Sequence, residues 1–170
     1  KEHIFAPLDM NDTQFPLNRN TLIPGRARSY YPDNSSFKNV LSRGERVGST
    51  GLYTSAEDLL KWAHNFQSRK VGHDSVFEGM AKRMTASDGA PSTFAKGQEY
   101  RIFNGLETWS HGGRDAGYRS FLLRVPNENL ALSILSNRTD FDTAKMAFAL
   151  LDAFMGQSSN YKKPEAPEWA

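Results

Sequence analysis

Two apolar runs, Tyr118 to Val125 and Leu130 to Ser136, stand on either side of Pro126-Asn127-Glu128-Asn129, and a helical pattern follows them. Runs of this length around a Pro/Asn turn read as an antiparallel β-hairpin. Beyond it, Asp142 or Thr143 can cap a helix in which Ala144, Ala147, Phe148, Leu151, Phe154 and Met155 recur at helical spacing until Gly156. So broad an apolar stripe has to be buried, and the hairpin offers a sheet face to bury it on. The segment ending in Trp109-Ser110-His111 reads as a preceding strand, with Gly112, Gly113 and Gly117 supplying the backbone freedom to connect it to Tyr118. The expected core is therefore an antiparallel sheet segment of three strands with a C-terminal helix packed on it, an α+β arrangement.

The first half of the chain reads differently. Pro7 comes so soon that a helix over Lys1 to Phe5 would be only the stump of one begun upstream. From Asn11 to Arg46 the text is rich in Asn, Ser, Arg, Pro and Gly without a sustained period, which predicts long loops. Thr54-Ser55-Ala56-Glu57-Asp58 then matches a capping box, and Ala56, Leu59, Ala63 and Phe66 continue it as a helix from about Ser55 to Gln67. A shorter amphipathic stretch surrounds Val76 to Met84, ending at the Gly and Pro signals of Asp88 to Pro91. These features divide the chain into part of a helical subdomain with long loops over 1–87, sheet strands and C-terminal helix over 88–156, and an extended tail over 157–170 marked by Pro164 and Pro167.

Composition removes whole classes of function. With 170 residues and 38% hydrophobic content the chain can bury a core. Its 21 Lys and Arg against 19 Asp and Glu leave a net charge of +2, too small to argue for nucleic acid on electrostatic grounds. There is no cysteine, so no thiolate nucleophile or Cys-ligated zinc site can form. His3, His64, His73 and His111 share no metal-binding spacing, and no H-E-x-x-H, G-x-S-x-G, phosphate-binding glycine loop or dinucleotide fingerprint occurs. Neither a metal nor a cofactor is expected.

What remains is a glycine-rich cluster, Trp109-Ser110-His111-Gly112-Gly113-Arg114-Asp115-Ala116-Gly117-Tyr118-Arg119-Ser120. Glycine beside a strand lets another backbone or a substrate approach closely. With Pro7-Leu8-Asp9-Met10-Asn11-Asp12-Thr13 and Gly48-Ser49-Thr50-Gly51-Leu52-Tyr53-Thr54-Ser55-Ala56-Glu57-Asp58, this cluster resembles, in order, landmarks of the serine β-lactamase and penicillin-binding-protein superfamily. The resemblance is to its class C β-lactamase, D-amino-acid peptidase and esterase branch, and it covers Phe5 to about Met155. That family uses an S-x-x-K motif, a Y-x-N or Y-x-S motif and a K-T-G or H-x-G strand. His111-Gly112-Gly113 matches H-x-G; the other two motifs belong upstream of the Pro7-Leu8 segment.

The resemblance implies an incomplete β-lactamase-like fold, the C-terminal part of a serine hydrolase acting by acyl transfer on ester, peptide or β-lactam-like substrates. It implies that His111 orients substrate and stabilises charge, that Gly113 lets substrate lie along the strand, and that the backbone N–H of Arg114 is an oxyanion-hole donor. Thr50 would line the facing wall, with Gly112, Tyr118 and Tyr30 as further substrate contacts. The implied partners are a small-molecule or peptide-like substrate and the upstream half of the same protein; the implied location is a bacterial periplasm, cell envelope or secreted one. Asp9 stands where the family often has glycine, and Asp tolerates left-handed backbone. Histidine in place of lysine favours peptidase or esterase chemistry over antibiotic hydrolysis. The alternative reading is a non-catalytic peptide- or peptidoglycan-binding module.

Other residues carry the right letters without the right setting. Ser35-Ser36-Phe37-Lys38 and Ser159-Asn160-Tyr161-Lys162 fit S-x-x-K, but the motif needs a serine starting a buried helix and a desolvated lysine one turn on. Tyr53-Thr54-Ser55 fits Y-x-S, yet Thr54 and Ser55 are better used as helix caps and Tyr53 as packing. Trp109 is open between substrate contact and packing. Arg119 and Arg124 are expected in solvent, unless Arg119 grips a substrate carboxylate. Asn137 ends the last strand near the same wall. An isolated chain of this kind would leave a sheet edge uncovered and its last helix short of a partner, so association or marginal stability is expected.

Overall fold

The computed structural model describes residues 1–16, 18, 20–41 and 47–156. In chain order it contains β1 (Ser29–Asp33), β2 (Ser36–Val40), α1 (Ala56–Ser68), α2 (Asp74–Ala81), β3 (Phe94–Ala95), β4 (Gln98–Phe103), β5 (Leu106–Asp115), β6 (Tyr118–Val125), β7 (Leu130–Ser136) and α3 (Thr143–Met155). The strands from β3 to β7 form one antiparallel sheet in sequence order, and β1 and β2 form a separate hairpin. The three strands expected from sequence are thus the centre and one edge of a five-stranded sheet. The two additional strands, β3 and β4, enter through turns at Lys96-Gly97 and Asn104-Gly105 whose residues all have positive φ. Such two-residue turns match the twist of the strands they join.

One face of the sheet is the apolar core. Phe121, Leu123 and Val125 alternate along β6 and meet Ala147, Leu151 and Met155 of α3, with Leu130, Leu132, Ile134 and Phe148 packed around them. The Asp142 carboxylate caps α3 by accepting from the Lys145 N–H at 2.9 Å. The opposite face carries Trp109, His111, Gly113 and Asp115 of β5 beside Arg124, Leu122, Ser120 and Tyr118 of β6, because paired residues share a face. Helix α1 lies over this second face. The sheet is therefore sandwiched, apolar under α3 and mixed in chemistry under α1.

The structure corrects several expectations. The Asn11–Arg46 stretch, read as loops, contains the β1–β2 hairpin in its described part. Its turn is Asn34-Ser35, with Asn34 at φ 50. Pro32 within β1 and the exposed, polar β2 hid it, since both weigh against a strand. Arg119 is half-buried rather than free in solvent: its guanidinium donates to the carbonyls of Thr139, Ala116 and Tyr118 at 3.1, 3.2 and 2.7 Å. Arg124 is half-buried, its guanidinium 3.6 Å from the Phe66 ring centroid. The turn between β5 and β6 bends at Ala116, φ 48, while Gly112 and Gly113 lie within β5. Asn137, undecided from sequence, ties the Arg28–Tyr30 backbone to the sheet: its Nδ2 donates to Arg28 O and its carbonyl accepts from Tyr30 N, both at 2.8 Å. The tail over 157–170 lies outside the described residues, as does the Ser159–Lys162 motif.

Leu151 is fully buried and Leu150, its neighbour on α3, is 43% exposed. Replacing Leu151 with Ala should cost about 2–5 kcal/mol of unfolding free energy, and Leu150→Ala well under half that, measured by urea denaturation. Equal losses would mean that α3 does not bury the face described.

Candidate active site

Strand β5 is paired unevenly. Leu106 to Thr108 pair with β4, Trp109 and Ser110 with both β4 and β6, and among the described residues His111 to Asp115 pair only with β6. The open edge has a definite phase. Tyr100 of β4 spends its N–H on Thr93 O at 2.6 Å, away from β5, so alternation turns Glu99 and Arg101 toward Ser110 and Thr108. Gly112 and Arg114 share that phase. Their backbone groups therefore face the unpaired edge, and the tight turn joining Asp115 to Tyr118 fixes the same alternation from the other side.

Beside this edge lies an open cleft of about 2370 Å³, lined by His111, Gly112, Gly113, Arg114, Thr50 and Tyr118 among others. Six of the seven residues singled out from sequence meet there. His111 is exposed, on the same sheet face as Gly113 two residues on. A Cβ at Gly113 would collide with the Ser120 hydroxyl, so a side chain there requires Ser120 to turn away. Thr50 crosses the cleft and donates to the Asp115 carboxylate at 2.7 Å, a contact that spacing alone could not show. Tyr118 donates its hydroxyl to Ala27 O at 2.7 Å, and its ring meets Tyr53 edge-on at 6.1 Å. Burial, then the nearby Tyr53, pushes the Tyr118 phenol above its ordinary pKa.

Tyr30 is the exception. It is not among the residues lining the cleft; its backbone joins Asn137 and Thr139 at the end of β7. The docking requires Gly117, where a Cβ would come within 2.6 Å of Tyr30 N and 2.8 Å of Ser29 Cβ. Trp109 is packing: it is buried, its indole N–H donates to Glu107 at 2.8 Å, and its ring meets Tyr100 at 5.1 Å. Ser35 and Lys38 lie on the β1–β2 hairpin, with Lys38 paired to Asp33, so this S-x-x-K match has no helix behind it.

The far wall rests on Asp58. Ser55 caps α1 by accepting from the Asp58 N–H, but the carboxylate does not complete a capping box. It turns instead to the opening segment, accepting from Asp12 N at 2.9 Å, Thr13 Oγ1 at 2.8 Å and Lys61 Nζ at 2.7 Å. Asp9 takes the left-handed conformation expected of it, at φ 57, and its carbonyl also receives Lys61. This network places Asp12 and Gln14 along the cleft.

A family model described as Beta-lactamase matches residues 1–154. The chain belongs to the Beta-lactamase family. It is 25% identical over 154 residues to a D-aminopeptidase of Gluconobacter oxydans (strain 621H), covering 90% of this chain and 29% of that protein. In fold it is similar to the octameric penicillin-binding protein homologue from Pyrococcus abyssi, with TM-score 0.76, 18% identity, and 91% and 36% of the two chains covered. It is also similar to the D-amino acid amidase from Ochrobactrum anthropi SV3, with TM-score 0.66, 18% identity, and 91% and 49% covered. The chain thus spans less than half the length of each. The β-lactamase-like fold is present in part, and β5, which carries His111-Gly112-Gly113, is the central strand of its five-stranded sheet.

Burial pushes the Asp58 carboxyl up, but the hydrogen bonds from Lys61, Thr13 and Asp12 outweigh it and hold the pKa below the ordinary 3.8. A depressed folded-state pKa contributes stability that is present above the unfolded value and lost as pH falls through the folded one. Asp58→Asn should cost about 1–3 kcal/mol at neutral pH and remove this part of the acid dependence below pH 3.8. Acid denaturation followed by tryptophan fluorescence checks it; parallel curves for both proteins would show that Asp58 is not the titrating group.

Proposed function

We propose that this chain forms the H-x-G wall of a serine hydrolase catalysing acyl transfer on ester, peptide or β-lactam-like substrates. The nucleophilic serine and its lysine would come from the upstream half of the same protein. The observation that carries the reading is the unpaired half of β5, where His111, Gly113 and the outward-facing Arg114 N–H adjoin one cleft. An extended substrate can add to such an edge through main-chain hydrogen bonds. A carbonyl oxygen placed at the Arg114 N–H would be polarised there, and negative charge developing on it in the tetrahedral intermediate would be stabilised. His111, exposed on the adjoining face, is placed to orient the substrate and to stabilise charge near the incoming serine. No cofactor or metal enters this chemistry.

The D-aminopeptidase relative directs the choice of first substrates toward amides and short peptides with an N-terminal D-residue. The location that goes with this reading is the bacterial envelope or the exterior.

Treated alone with a fluorophosphonate or a labelled penicillin, the chain should give no stoichiometric adduct. Combined with an upstream polypeptide bearing S-x-x-K and Y-x-N or Y-x-S, it should support labelling of that polypeptide's serine. His111→Ala in the combined protein should lower kcat/KM about 100- to 1000-fold, the scale on which a preorganised charge-stabilising group acts. An adduct mapped to Ser35 overturns the assignment. Peptide binding with no serine motif in the upstream coding region replaces it with the non-catalytic module.

A further inference from the structure

On the α1-side face of the sheet, Arg124 is a half-buried cation with no anion of its own. Arg69, Arg101 and Arg138 each pair with a carboxylate at 3.0, 2.6 and 2.6 Å, and all three are well exposed. Arg124, more enclosed than these, has the neutral Oε1 of Gln98 as a hydrogen-bond acceptor and the Phe66 ring beneath its guanidinium. Among the described residues no carboxylate lies within ion-pair distance of it. Glu107, the acid on the same face of β5, accepts from the Trp109 indole N–H instead. Burial pulls the Arg124 pKa down to about 10, the sign expected when a charge is desolvated without compensation. A buried charge left unpaired is costly.

The guanidinium lines a pocket of about 100 Å³, together with Trp62, Phe66, Gln98, Trp109 and His111. His111 lines the large cleft as well, so the two spaces adjoin at that residue. Along β5 the order on this face is Trp109, His111, Gly113. The pocket thus flanks His111 on one side and the Gly113–Arg114 edge flanks it on the other. Arginine offers five N–H donors in a planar fork matched to carboxylate, and here at most part of that fork is used by Gln98.

We propose that this pocket is an anion subsite, in which Arg124, steadied by Gln98 and Phe66, receives the carboxylate of a substrate lying along the open half of β5. The subsite selects carboxylate-bearing substrates, such as peptides with a free C-terminus, over neutral amides and esters. As a statement about substrate class it rests on the hydrolase reading; as a binding site it does not.

The test is a titration of the full chain with sodium acetate against sodium chloride at constant ionic strength, following arginine Nε–Hε resonances by NMR, with acetamide as the neutral isostere. The Arg124 signal is identified through Arg124→Lys, or by through-bond assignment of the wild-type protein if that variant is misfolded. Acetate should shift the Arg124 resonance saturably, and acetamide should not. A folded Arg124→Lys protein should bind acetate several-fold more weakly, since the charge stays and the fork is lost. The proposal is overturned if no saturable shift occurs, if acetamide acts like acetate, or if the response lies at Arg28 and Arg114 of the large cleft instead. Failure of serine labelling in the combined protein would leave acetate binding at Arg124 intact, so the two readings fail separately.

Discussion

The proposed site depends on one mismatch in length. Strand β5 has ten residues and its neighbour β4 has six, so β4 runs out at Glu99 opposite Ser110 while β5 continues to Asp115. The last five residues of β5 keep β6 on one side and have no strand partner on the other among the described residues. An unpaired strand edge in the middle of a sheet is usually a liability, because its N–H and C=O groups will pair with whatever extended chain arrives. Here the outward-facing groups belong to Gly112 and Arg114 and sit beside a cleft, which is where the proposed substrate backbone docks.

Keeping that edge open requires the surrounding loops to be held back, and two close approaches do so. At Gly117 the Ser29–Tyr30 backbone lies where any side chain would be, and Gly117 N donates to the Ser29 hydroxyl at 3.2 Å, which in turn donates to Val40 O at 2.7 Å. At Asp58 the opening segment is pinned to α1 through Asp12 and Thr13. Between them these contacts anchor the Asp12–Thr13 and Ser29–Tyr30 segments, which bound the stretch beside the cleft. The cleft is the space left between the anchored stretch and β5.

Much of this was legible in the sequence, and the parts that were not have identifiable reasons. The β6–β7 hairpin, α1 and α3 carry strong periodicity and caps, and they fall within a residue or two of expectation. The β4–β5 hairpin carries an equally strong signal in Asn104-Gly105, the dipeptide best suited to a two-residue turn. It was obscured because β4, Gln98-Glu99-Tyr100-Arg101-Ile102-Phe103, is mostly polar and lies toward one side of the sheet. The contiguous candidates, His111 to Arg114, are marked by their glycines and take their expected roles from the family resemblance. Contacts distant in sequence are not legible in the same way: Thr50, expected on the facing wall, meets Asp115 across 65 residues, and Arg124 stacks on Phe66 of α1. Alternation alone sends an arginine on a strand toward water; it cannot show that a helix already covers that face.

The division of labour between the two sheet faces explains why the core fixes the chemistry. Phe121, Leu123 and Val125 must point toward α3, since that is where Ala147, Leu151 and Met155 can bury them. With a side-chain period of two, this choice sends Ser120, Leu122 and Arg124 to the other face, and through the β5–β6 register it sends His111 and Gly113 with them. A slip of one residue in that register would place His111 opposite Phe121 or Leu123, on the aliphatic side under α3. The orientation of His111 is therefore enforced by side chains that touch no substrate. Core residues of β6 and α3 are in this sense determinants of the site, and a change that loosens their packing acts on His111 through the register of two strands.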